Sequence, residues 1–208
     1  MISPVKSSRI EYDIKTYRYH RNGENDAQTN LKIAAGTLAG TLIPIALIAK
    51  KQNVNLFKIK YGVKEMLSAS TSAIAGGVGA GMLFDKNTSK KKKLDEGVFQ
   101  LMNATMPTAI TALLFKIKFL QKPLGKAFAT LLGLGSGMFL APKLSNKIND
   151  PKDKVPDRKL TIKDSVANID DAVGVLVLAK VPLAQKLHVD KILPLIYGLC
   201  GYRAGSSN

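Results

Sequence analysis

Ala69-Ser-Thr-Ser-Ala73-Ile-Ala-Gly-Gly77-Val-Gly-Ala-Gly81 is the stretch that decides the fold. Wound as a helix, it sets Ala69, Ala73, Gly77 and Gly81 on one face, and that face carries almost no side chain. In water each interior glycine weakens a helix by roughly 1 kcal/mol relative to alanine. In a bilayer the backbone has no other hydrogen-bonding partner, so the helix forms regardless, and the bare face admits a second backbone at close range. The stretch therefore predicts a membrane helix held by tight packing. A second ladder follows at Gly125, Ala129, Gly133, Gly137 and Ala141, and a shorter one, Gly36 and Gly40, precedes it.

Outward from this stretch the apolar residues come in blocks. Residues 33–49 carry no charge and end on Lys50-Lys51; residues 66–84, 97–115 and 127–142 form three more blocks. Each is near the roughly 20 residues that cross a hydrocarbon core. Ser68, Ser70, Thr71 and Ser72 dilute the second block, and Gln100 and Asn103 the third. Such residues suit helices whose polar groups face other helices. The expectation is an all-α polytopic membrane bundle with four spans over residues 31–144, after a polar tail over 1–30.

Beyond it, residues 145–163 hold a charged run with Pro151 and Pro156, read as a loop. Thr161 to Asp164 fits a capping box, so a helix is expected from about residue 162 to 187. With Ile192–Tyr202 it would complete a C-terminal helical hairpin over 164–205, either lying on the other helices or shielded among them. Leu56-Phe-Lys-Ile-Lys60 recurs at Leu114–Lys118, and Pro44, Pro107 and Pro182 stand in the first helix of each successive pair. These matches leave open a plan of three pseudo-repeated hairpins.

The 208 residues carry a net charge of +16, from 31 Lys and Arg against 15 Asp and Glu. The lysines cluster at the ends of apolar blocks, as at Lys90–Lys93, and are not interleaved with aromatics along a folded surface. That placement points to a lipid bilayer with anionic headgroups and argues against nucleic acid. With four spans, about twice as many Lys and Arg fall on the N-terminal side as on the other, which places the N-terminus in the cytoplasm. The Tyr17–Arg21 knot reads either as an interfacial anchor or as part of a solvated tail. The start of the chain shows no apolar h-region and no secretory signal peptide is expected. Cys200 alone provides neither an internal disulfide nor a cysteine metal site, and reads as a small buried side chain.

Chemistry has few places to sit. Gln100, Asn103, Pro107 and Thr111 follow one side of the third block, and Pro107 frees the Asn103 carbonyl from its helical bond. This stripe reads either as a polar pathway or as interhelical hydrogen bonding worth around 0.6 kcal/mol per contact. Asp170 and Asp171 precede the apolar part of the fifth helix. They are candidates for handling protons or cations, but also suit the N-terminal half of a helix. His188 and Asp190 have no nucleophile or second ligand spaced beside them, and no metal or cofactor is expected. The sequence thus predicts a non-enzymatic membrane protein, structural or oligomerising through its Gly faces. A small channel or transporter along the stripe is the alternative, and a soluble basic protein that binds polyanions a third.

Overall fold

A computed structural model of the chain describes residues 25–154, 157, 172–180 and 186–207. The N-terminal tail to residue 24, the capping box at 161–164, Asp170, Asp171 and Pro182 lie outside the described residues.

Asp26 opens the first helix by accepting the Thr29 N–H at 2.6 Å, and α1 runs Ala27–Gln52. It closes on Asn53 in the left-handed conformation, φ 53°, whose N–H turns back to the Ala49 and Lys50 carbonyls. The Gln52 amide then grips both the N–H (2.9 Å) and the carbonyl (2.8 Å) of Lys60, which fixes the intervening loop and its short turn at Leu56–Lys58. Glu65 accepts the Gly62 N–H at 3.1 Å, and α2 follows as Val63–Phe84. Ser89 caps α3, Lys90–Leu114, and Pro123 takes the first position of α4, Pro123–Asn149. The last helix, α5, is Leu193–Ser206.

Every regular element among the described residues is helical. α1 and α2 form one antiparallel hairpin, α3 and α4 a second, and α5 lies parallel to α2 while touching α1 and α3. α2 is thus the central helix. A short helical segment over 172–178 adds Val173 and Val175 to the core.

At 1.5 Å per residue, the 26 residues of α1 and the 22 of α2 reach about 39 and 33 Å, enough for a hydrocarbon core of about 30 Å. Among the described residues three helices are long and apolar enough to cross a membrane: Ala27–Gln52, Val63–Phe84 and Leu124–Asn149. α3, the remaining one of the four expected spans, falls short of that composition. It begins with four lysines and carries Asp95, Glu96, Gln100 and Asn103, so its mean hydropathy is low. The physical reason is burial inside protein: Lys93, Gln100, Asn103, Thr108 and Thr111 all point into the bundle.

Two element boundaries differ from expectation. α4 continues to Asn149, past the start of the expected loop, because Ser145 is fully buried and the Asn149 amide donates to the Asp95 carbonyl at 2.9 Å. The helix expected to reach residue 187 breaks at Lys180, which is left-handed at φ 54°.

The distribution of side chains is inverted relative to a protein in water. On α1, Leu38, Leu42 and Leu47 are 56, 54 and 62% exposed, while Thr37 and Thr41 are buried with Ile33 and Ile45. The threonine hydroxyls are satisfied within their own helix, donating to the Ile33 and Thr37 carbonyls at 2.9 and 2.8 Å. On α4, Leu124, Phe128, Leu131, Leu132 and Phe139 face out, while Ala129, Thr130, Gly133, Gly137, Ala141 and Ser145 face in.

Candidate functional site

The small residues meet in three seams. Along the first, Gly36 and Gly40 of α1 lie against Ser72, Gly76 and Ala80 of α2. A Cβ on Gly76 would stand 2.5 Å from the Gly36 carbonyl oxygen, and one on Gly40 would stand 3.0 Å from the Gly76 Cα. Along the second, Gly77 and Gly81 lie against Gly201 and Gly205 of α5, while Ala69 and Ala73 are fully buried in line with them. A Cβ on Gly77 would overlap the Gly201 carbonyl, and one on Gly205 would overlap the Gly77 carbonyl. Backbone meets backbone there, with no room for a methyl group. Along the third, Gly133 faces Thr111 and Gly137 faces Pro107, with Ala129 and Ala141 buried in the same row. Gly125 differs from the rest of its ladder: it packs on Phe119 and Leu120 of the turn just before its own helix.

The ladders therefore face helices of the same chain. Gly201 and Gly205, the partners of Gly77 and Gly81, share their four-residue spacing and could have been read as a further ladder. The apolar block around them is short, which hid them. α2 also carries the second row, Ser72-Gly76-Ala80, one position off the first.

The α3–α4 seam holds the polar stripe. Gln100, Asn103 and Thr111 are 1, 3 and 0% exposed. The Gln100 amide nitrogen donates to Glu96 at 2.8 Å, but its Oε1, the Asn103 Nδ2, the Thr111 Oγ1 and the Thr130 Oγ1 have no hydrogen-bond partner among the described residues. A buried polar atom left so costs about 1–3 kcal/mol. Four of them on α3 and α4 make this the most polar part of the described interior. The structure brings Gln100, Asn103 and Thr111 onto one helix flank, and Asp170 and Asp171 lie outside the described residues.

At one end of the bundle sits a fully buried ion pair. Lys93 Nζ lies 2.6 Å from Asp85 Oδ2, and both side chains have no exposed surface. The same ammonium donates to the Gly205 carbonyl at 2.8 Å and the Ser207 carbonyl at 3.0 Å, so all three of its donors are engaged. The cation thus stands at the C-terminal end of α5, where the helix dipole favours it. Asp85 accepts further bonds from the Asn87 and Thr88 N–H groups, and the Asn25 amide nitrogen, turned toward the carboxylate, reaches it at 2.9 Å. Burial alone would raise the Asp85 pKa, but the Lys93 bond and these N–H donors outweigh it and hold the carboxyl below its ordinary value. One loop and three helix ends (α2, α3 and α5) are tied together by this pair. In sequence Lys93 is one of four consecutive lysines, and only its register with the buried Gly97 separates it from its exposed neighbours.

At the other end, Tyr61 is half-buried beside Asp190. Burial, then the Asp190 charge, pushes its phenol up to about 12.

Comparison of the chain with protein families, with curated proteins and with solved structures finds no match.

Proposed function

We propose that this chain is a polytopic integral membrane protein whose role is structural rather than catalytic, in a bilayer rich in anionic lipid. The observation that carries this reading is the inversion described above: Leu and Phe outward on α1 and α4, with Gly, Ala, Thr and Ser inward. In water that outer surface would be an aggregation hazard, and the glycine seams a net loss against larger core residues. In lipid the outer leucines are solvated and the seams supply contact. α3 is the fourth span in this reading, its polar flank screened by α4, α2 and α5. The two described hairpins share a plan, a proline-containing first helix (Pro44, Pro107) and a small-residue second helix, which supports the pseudo-repeat. The exposed lysines Lys90, Lys91 and Lys92, together with Lys86, suit anionic headgroups, and the excess of Lys and Arg there favours the cytoplasmic side for the N-terminus. Because the glycine ladders are filled within the chain, oligomers would use other surfaces. Thr71, Ala75 and Gly79 line an outward row of α2, and nothing stands within 4 Å of a Cβ placed on Gly79.

Resistance to alkaline carbonate extraction and dependence on detergent for solubility are the expected results. A purified chain that stays monodisperse in plain buffer would refute the proposal and favour a soluble polyanion-binding protein.

A second reading is favoured by the four polar atoms of the α3–α4 seam that have no partner among the described residues: a narrow polar pathway along α3. Proton or ion flux into liposomes, abolished by Asn103→Leu, is its signature. Flux that survives the substitution, or no flux at all, excludes it.

A further inference from the structure

Two adjoining hollows open at the end of the bundle opposite the Lys93 pair, and they share Ile59, Tyr61 and Asp190. The larger, about 680 Å³, is lined by charges of both signs: Lys60 and Lys180 against Glu65 and Asp190, with His188 at the edge. That size falls among ordinary ligand sites, roughly 300–1,000 Å³. The smaller, about 280 Å³, is an apolar groove between α1 and α5, walled by Leu42, Ile45, Phe57 and Leu195, with Lys191 at its mouth. Three of these walls belong to the outward surface, Leu42 at 54%, Leu195 at 67% and Phe57 at 73% exposed, and Ile45 is the buried floor. Leu42 lies ten residues before Gln52, so the groove reaches about 15 Å from the loop layer toward the middle of the bundle. That is half of a hydrocarbon core of about 30 Å.

We propose that these two hollows form one site for a single phospholipid with a zwitterionic amine headgroup, its phosphate on Lys60 and Lys180, its ammonium on Asp190, and one acyl chain in the Leu42–Leu195 groove. Charge complementarity selects the occupant. A purely anionic headgroup would meet Asp190 and Glu65 with like charge. A fatty acid offers no cation to Asp190. A phosphate with an ammonium two carbons away matches both signs, and its chain continues into the surface that faces lipid. The Tyr61 phenol lines both hollows and keeps its proton at physiological pH. Lys180 and His188, both on the headgroup side, hold left-handed backbone that L side chains rarely adopt. The assignment rests on the chain lying in a bilayer.

The test is native mass spectrometry of delipidated protein in mild detergent, titrated separately with phosphatidylethanolamine, phosphatidylcholine, phosphatidylglycerol and oleic acid. One phosphatidylethanolamine per chain is expected, bound roughly tenfold more tightly than the other two phospholipids, the increment of one charge-assisted hydrogen bond. Asp190→Asn should erase that preference. Leu195→Trp, which fills the groove from its exposed wall, should weaken all three phospholipids roughly tenfold with little change in melting temperature. Equal binding of the three headgroups, equal binding of oleic acid, or unchanged binding to Leu195→Trp overturns the assignment. If those samples still need detergent to stay dispersed, only the lipid site has failed and the membrane reading stands. If they do not, the membrane reading has failed as well.

Discussion

Replacing Lys93 by Met should loosen the whole bundle from one end. Met keeps the volume and removes the charge, leaving the Asp85 carboxylate buried and the Gly205 and Ser207 carbonyls without their donor. Breaking a buried pair from one side costs about 3–5 kcal/mol. Asp85 retains the Asn87 and Thr88 N–H groups, which places the cost at the lower end, about 3 kcal/mol. For a chain of this size each kcal/mol moves the melting temperature by about 2–4 °C, so a fall of roughly 6–12 °C is expected. The assay is thermal unfolding in detergent, followed by light scattering or a thiol-reactive dye on Cys200, which is buried against Ile74, Val78 and Ala204. Asp85→Asn alone should also destabilise. The double variant Asp85→Asn/Lys93→Met should lose clearly less than the two singles summed, because neither partner is then left charged and alone. Limited proteolysis of Lys93→Met should release the α5 end before the α1–α2 hairpin. A melting temperature within 1–2 °C of the parent, or strict additivity in the cycle, would refute the reasoning.

The other expectations follow from single contacts. Gly77→Leu drives a side chain into the Gly201 carbonyl and should lower the melting temperature without impairing insertion, whereas Gly79→Leu, with nothing within 4 Å, should be nearly silent; equal effects would sink the seam description. Asp85 is held below its ordinary 3.8, so its contribution is complete above that value and fades as pH falls through the lower folded value; the melting temperature of Asp85→Asn should be flatter in that acid range than the parent's. Tyr61 shows the opposite case, an acid whose folded pKa is raised from 10.0 to about 12. The folded state keeps a proton the unfolded chain has lost, so stability should fall between pH 10 and 12, and Tyr61→Phe should remove that slope. Thr130→Val, which removes a buried hydroxyl with no partner among the described residues, should be neutral or slightly stabilising if the seam is dry; a loss of about 1 kcal/mol or more would show that the hydroxyl is held by a hydrogen bond.

Much of the architecture is legible in residue order, because period four and lipid-scale length are both sequence properties. α1, α2 and α4 declare themselves by an apolar block with a small-residue row. α3 is harder: its polarity is used inside the protein, and a hydropathy window cannot tell an inward Asn103 from an outward one. Lys93 is the clearest case of hidden information. Its three neighbours are solvated lysines, and what distinguishes it is a partner loop eight residues back and a helix end more than a hundred residues ahead. The pairing of Gly77 with Gly201 is equally remote, since a bare helix face announces that it wants a neighbour without saying which.

That remoteness has a temporal side. Lys93 and Gly205 are 112 residues apart, and at about 5–20 residues per second a ribosome needs roughly 6–22 s to bring the second after the first. Until then the Gly77–Gly81 face of α2 lacks its partner helix, and the Lys93 ammonium has Asp85 but neither of its carbonyl acceptors. Docking of α5 supplies the missing backbone face and both carbonyls at once, so a single late step closes the centre of the bundle and its charged end together.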